Sequence, residues 1–126
     1  MTRVVLDTNI LVSALWSKDG NAAKIPDMFI RGELPLFYDA RILAEYKAVL
    51  SRPKFAFRHA KVGLLINKIR DDGIAVVPAP CDLEFADEAD KKFYEVAKDC
   101  NALLITGNLR HCPGEPFIQS TARFLK

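Results

Sequence analysis

Asp7 ends the aliphatic run Val4, Val5 and Leu6 and is followed by Thr8 and Asn9, so a carboxylate stands where a buried strand must stop. In an open parallel sheet, ligands bind outside the carboxyl ends of the strands, and an acid placed there can face a site. Two more acids border apolar stripes. In the segment after Asp39, Ile42, Tyr46, Val49 and Leu50 recur at helical spacing with Glu45 on their flank. From Asp87 to Cys100, the spacing of Phe93, Val96, Ala97 and Cys100 predicts a helix. At roughly 100° per residue, Asp90 falls about 70° from the centre of that stripe, nearer than any other acid of the segment.

Each acid alone has a structural explanation. Asp7 can cap the helix that follows it, Glu45 can pair with Arg41 or Lys47, and Asp87, Glu88 and Asp90 suit the first turn of a helix. Together they point further, because partly buried ionised carboxylates each cost on the order of several kcal/mol unless a cation pairs with them. The Lys and Arg residues concentrate elsewhere in the chain. Oxygen-only ligation selects hard cations, Mg2+ or Mn2+, which keep several waters and bind phosphates through their remaining positions. The chemistry implied is that of a phosphate ester.

Strands alternating with helices must position these acids. Val4 to Leu6 read as a first strand, and Ile10, Leu11, Ala14 and Leu15 form the stripe of a helix reaching Trp16. A short strand around Leu36 to Tyr38 leads through Asp39, an N-cap, into a helix closed by Pro53. A further helix ends at Gly73 and is followed by the apolar strand IAVVP. After the Asp87 to Cys100 helix come the buried strand ALLITG, the loop NLRHCPGEP, and a short edge strand running into a last helix. The pattern is α/β: a three-layer α/β/α, Rossmann-like arrangement around a mostly parallel sheet of about five strands.

Composition agrees with one domain over residues 1–126: half of the residues are hydrophobic and 27% are charged, which is not the signature of disorder. Three cysteines without C-x-x-C spacing, and two histidines, argue against a disulfide framework or a zinc site. No apolar stretch approaches membrane-spanning length, so the expected setting is cytoplasmic, with no membrane partner. The net charge of +2 hides a bias: between Arg41 and Arg70 there are eight Lys or Arg residues against one acid, Glu45. Such a segment suits a polyanion or a solvated face.

Four stretches, VVLDTNILVSAL, ILAEYKAVLSRPKF, DEADKKFYEVA and LLITGNLRH, in this order and spacing, together resemble the PIN domain family. Within it they resemble the toxin components of prokaryotic toxin–antitoxin pairs. The resemblance spans essentially the whole chain. It implies a Mg2+- or Mn2+-dependent endoribonuclease whose acids gather at the carboxyl ends of parallel strands. By position, Asp7, Glu45 and Asp90 match the catalytic, metal-holding acids, and Asp87 matches an auxiliary one. Where the family often has Asp after the Thr-Gly pair, this chain has Asn108, whose amide offers a neutral oxygen and no charge. The expectation is therefore one tightly held ion and a second that is weak or dependent on substrate. A metal held there would activate and orient water and neutralise charge on phosphorus, with no histidine base required.

Lesser roles stay open at this level. Thr8 and Asn9 can orient Asp7, contact phosphate or cap the helix, and Thr106 can buttress the site. Arg110 and His111, beside Asn108, can engage phosphate or lie in a solvated loop. Arg52 and Lys54, with Arg58, Lys61, Phe55 and Phe57, can track RNA by charge and stacking or form core and interface. The resemblance further implies a homodimer and an antitoxin partner. The alternatives are a degenerate PIN-fold module that binds RNA or a partner without turnover, and an aspartyl phosphatase, against which Asn9 stands two residues after Asp7. A dinucleotide binder lacks its G-x-G-x-x-G after the first strand.

Overall fold

The computed structural model describes residues 2–85 and 87–126, without the side chain of His111. Its first strand, β1 (Val4–Leu6), is buried at every residue and pairs in parallel with β4 (Leu103–Ile105), Val4 opposite Leu103 and Leu6 opposite Ile105. β4 pairs in parallel with β5 (Ile118–Gln119). On the other side, a single parallel bridge between Val4 and Leu36 joins β1 to the pair formed by β2 (Phe37–Tyr38) and β3 (Ile74–Ala75). The order across the molecule is thus β3, β2, β1, β4, β5, parallel throughout. Continuous apolar runs such as VVL and LLI suit strands covered on both faces.

The helices are α1 (Thr8–Trp16), α2 (Asn21–Ile30), α3 (Ala40–Leu50), α4 (His59–Asp72), α5 (Lys91–Asp99) and α6 (Thr121–Phe124). The α/β reading with a parallel sheet of about five strands holds, and three local expectations change. The sequence pattern does not announce α2: Gly20 gives it no side-chain cap and Pro26 interrupts its hydrogen-bond ladder. It forms because Ala23, Ile25, Pro26 and Phe29 are buried, packing that outweighs poor local propensity.

The helix expected from Asp87 to Cys100 is split into a 3-10 turn over Glu88–Asp90 and then α5. Asp90 accordingly sits at a junction, not on a helix face. The strand expected from IAVVP shortens to Ile74–Ala75, both exposed at the sheet edge.

Gly73 ends α4 as expected, though not through a left-handed turn, since its φ is −73°. Space selects glycine there: a Cβ would stand 2.4 Å from the Ile69 carbonyl oxygen and 2.9 Å from the Tyr38 ring. The core runs through β1, β2 and β4 and the inner faces of α1, α3 and α5, with Tyr46, Phe93 and Tyr94 its largest buried side chains. No helix among the described residues is long and apolar enough to cross a membrane.

Candidate active site

Strand order reverses between β1 and β4: successive strands step outward one way from β1 to β3 and the other way from β4 to β5. Such a switch point opens a crevice at the carboxyl edge of a parallel sheet. Asp7 leaves β1 there and Thr106 leaves β4 beside it. Asp7 is 7% exposed, caps α1 by accepting from the Asn9 N–H at 3.3 Å, and accepts the Thr106 hydroxyl at 2.6 Å. Thr106 in turn accepts the Asn108 N–H at 3.0 Å, which folds the chain after β4 back over the strand end.

Glu45 reaches the same crevice from α3. That helix is capped by Asp39, which accepts the Ile42 N–H at 2.9 Å, and is pinned to β1 by the buried Tyr46, whose hydroxyl donates to the Leu6 carbonyl. Thr8 donates its hydroxyl to Glu45, so it serves the second acid and not Asp7. The fourth contributor is the turn that precedes α5. Asp87 is exposed and caps that turn through the Ala89 N–H at 2.9 Å, and Asp90 is half-buried at its end.

Asp7 and Asp90 both feel neighbouring carboxylates. Burial pushes the Asp7 carboxyl above its ordinary range, opposed by the Thr106 hydroxyl and the Asn9 N–H and reinforced by Glu45. Burial also raises Asp90, with further pressure from Asp7, Asp87 and Glu45. Burial raises the Cys112 thiol, and the charges of Asp90 and Asp7 add to it.

The expectation that basic residues stand apart from these acids is corrected. Lys92 places its ammonium 2.7 Å from Glu45 and lowers both Asp7 and Asp90 against the effect of burial. Glu45 therefore pairs with neither Arg41 nor Lys47. Arg41 instead binds Asp39 at 2.7 Å and Glu95 at 2.9 Å. Glu95 lies opposite the apolar stripe of α5 and is nevertheless 5% exposed, because the chain around Cys81 covers that face and donates its N–H to Glu95 at 2.8 Å. Periodicity on one helix does not register a covering loop, and Lys92 gave no local signal because its partner is 47 positions away.

The remaining sequence candidates divide. Asn9 contributes its backbone N–H, with an exposed side chain. Arg110 is exposed in the 3-10 turn that follows Asn108, and the His111 side chain lies outside the described residues. Arg52 and Lys54 are not brought to the carboxylates. They flank Phe55 and Phe57, which meet Trp16 edge-on at 5.6 and 6.2 Å, and Trp16 ends α1 about 13 Å from its start at Asp7.

The donor set is all oxygen and excess in negative charge, which suits a hard divalent cation. Among the described residues, no three Asp, Glu, His or Cys side chains are drawn closely enough together to enclose one ion. The ammonium of Lys92 stands against Glu45 in that setting.

Fold and site define a parallel α/β protein with carboxylates gathered at the sheet's switch point. A PIN domain model matches residues 3–110, and the chain belongs to that family. PIN domains are generally metal-dependent nucleases that use divalent ions. An uncharacterized protein of Methanocaldococcus jannaschii is 27% identical over 109 residues, 84% of this chain and 70% of that protein. A crystal structure of a protein from Pyrobaculum aerophilum matches with a TM-score of 0.61 over 98% of this chain and 87% of the other. At 14% identity that likeness concerns the fold alone.

Proposed function

We propose that this PIN domain is a metal-dependent endoribonuclease acting as the toxin of a toxin–antitoxin pair, with Asp7, Glu45 and Asp90 as its metal-holding acids. The observation that supports the reading is that β1, α3 and the turn before α5 each turn one of these acids toward the switch point, Asp7 held by Thr106 and Glu45 by Thr8 and Lys92, with Asp7 and Glu45 both adding to the rise of Asp90. Mg2+ or Mn2+ bound there would supply Lewis acidity to the attacking water and to the scissile phosphate. The chain's own residues do the positioning. Thr106 orients Asp7, Thr8 orients Glu45, and the Asp87 cap sets the turn that carries Asp90. Arg110 on the loop after β4 is the side chain we assign to substrate phosphate, and Arg52 and Lys54 the ones that hold more distant RNA.

A protein partner, a second copy or an antitoxin, is supported by an apolar face on which Leu64 of α4 is 73% exposed beside Ile30 of α2. The alternative, a degenerate module that binds without turnover, draws on Asn108, which brings no charge, and on the ion pair at Glu45.

Calorimetric titration of Mn2+ into the wild type and Asp90→Asn, with cleavage of a labelled single-stranded RNA followed in the same samples, tests the reading. Binding and cleavage both lost in the variant support it. Binding to the wild type without cleavage of any RNA favours the degenerate module, and absence of binding overturns the metal site.

A further inference from the structure

The crevice contains a cation supplied by the chain itself. Lys92, in the first turn of α5, places Nζ 2.7 Å from Glu45 Oε1, donates to the Ala89 carbonyl, and stands 5.0 Å from the centre of the Phe93 ring. Its side chain is only 12% exposed. An ammonium has three donors and no acceptor, so two oxygen partners and an aromatic face dock it firmly for a lysine, a side chain that usually stays in water. The Ala89 carbonyl belongs to the turn that carries Asp90, and Glu45 belongs to α3. Lys92 therefore ties two of the candidate metal-holding elements together. Arg41, one turn from Glu45 on α3, is committed to Asp39 and Glu95.

We propose that Lys92 is a tethered counter-ion for the Glu45, Asp7 and Asp90 carboxylates, and that a divalent ion must displace it from Glu45 to bind. The inference rests on the metal-dependent reading above. Ammonium and metal are like charges competing for the same carboxylate oxygens, and at such separations, screened little by solvent, both cannot stay. In metal-free protein Lys92 offsets the repulsion among the acids and fixes the turn against α3. Its removal leaves Glu45 unpaired, which destabilises the metal-free protein and makes the site a stronger metal binder.

The test uses the full chain as wild type, Lys92→Met, Lys92→Gln, Lys92→Arg and Asp90→Asn, with Mn2+ affinity by calorimetry and thermal unfolding with and without Mn2+. Lys92→Met and Lys92→Gln are expected to bind Mn2+ roughly tenfold tighter, which corresponds to about 1.4 kcal/mol. Their metal-free midpoints should fall below the wild type and recover at saturating Mn2+. Lys92→Arg, which keeps the charge, should bind no more tightly than the wild type. If Lys92→Met is unfolded without metal, Lys92→Gln carries the comparison. Unchanged or weaker Mn2+ binding in both neutral variants, with binding lost in Asp90→Asn, overturns the counter-ion while leaving the metal site standing. Wild-type binding in Asp90→Asn removes the metal site and the inference with it.

Discussion

Among single residues, Asp7 carries the greatest constraint. It is buried, caps α1, receives the Thr106 hydroxyl and has Glu45 as a neighbour. Its carboxyl is raised above the unfolded value, so the folded chain holds that proton more tightly than the unfolded chain does. Stability from this group is then fully present below the ordinary carboxylate range and is lost as pH rises through the raised value. Asp7→Asn, which keeps the cap, should therefore raise the metal-free thermal midpoint by a few degrees at neutral pH while abolishing cleavage. The gain should vanish in acid, and a midpoint unchanged at pH 7 would count against a destabilising charge. Thr106→Val removes the donor to Asp7 and the acceptor for the Asn108 N–H together. It should cost about 1–3 kcal/mol of unfolding free energy in urea and weaken Mn2+ binding.

At the scale of elements, α3 and α5 are joined by two ion pairs of opposite polarity: Arg41 with Glu95 and Glu45 with Lys92. Their spacing, four residues on α3 and three on α5, matches one turn of each helix, so the pairs fix how the helices slide past one another. Half of Arg41 is in water, which discounts its share, but Glu95 is buried and also holds the Cys81 N–H. Glu95→Gln should lower stability by about 1 kcal/mol, and the loss should persist at high salt because the buried acid is poorly screened. Gly73→Ala tests a different junction, the close approach of α4 to Tyr38. A cost of about 1–3 kcal/mol in chemical denaturation is expected from that overlap; a neutral result would mean that the end of α4 can shift.

For the molecule as a whole, polarity is divided between its ends and faces. The carboxylates lie at the carboxyl edge of the sheet, the aromatic and basic group around Trp16 and Phe55 lies at the far end of α1, and α2 and α4 present Ile30 and Leu64 outward. If that apolar face is the contact between copies, Leu64→Asp should convert a dimer to monomers in sedimentation velocity without lowering Mn2+ affinity. A wild type that sediments as a monomer at high concentration assigns the face to another protein.

The sequence by itself determined the elements whose signals are local. The apolar runs of β1 and β4, the Asp39 cap, the stripe of α3 and the alternation that makes an α/β fold are carried by neighbours within a turn or a strand. Asp7 and Glu45 stood out for the same reason, as charges placed against apolar patterns, whereas Asp90 was singled out from a helix face that the structure replaces with a 3-10 turn. Tertiary structure alone decided α2, which exists because its apolar side is covered, and the 3-10 turn that places Asp90 at a junction. It also decided the partners of the charges: Thr8 and Lys92 with Glu45, Thr106 with Asp7, and Arg41 with the buried Glu95. Periodicity reports which face of one segment is apolar. Which charge meets which depends on how separate segments cross, and the Thr106 hydroxyl reaches Asp7 across 99 positions of chain because β1 and β4 are neighbours in the sheet.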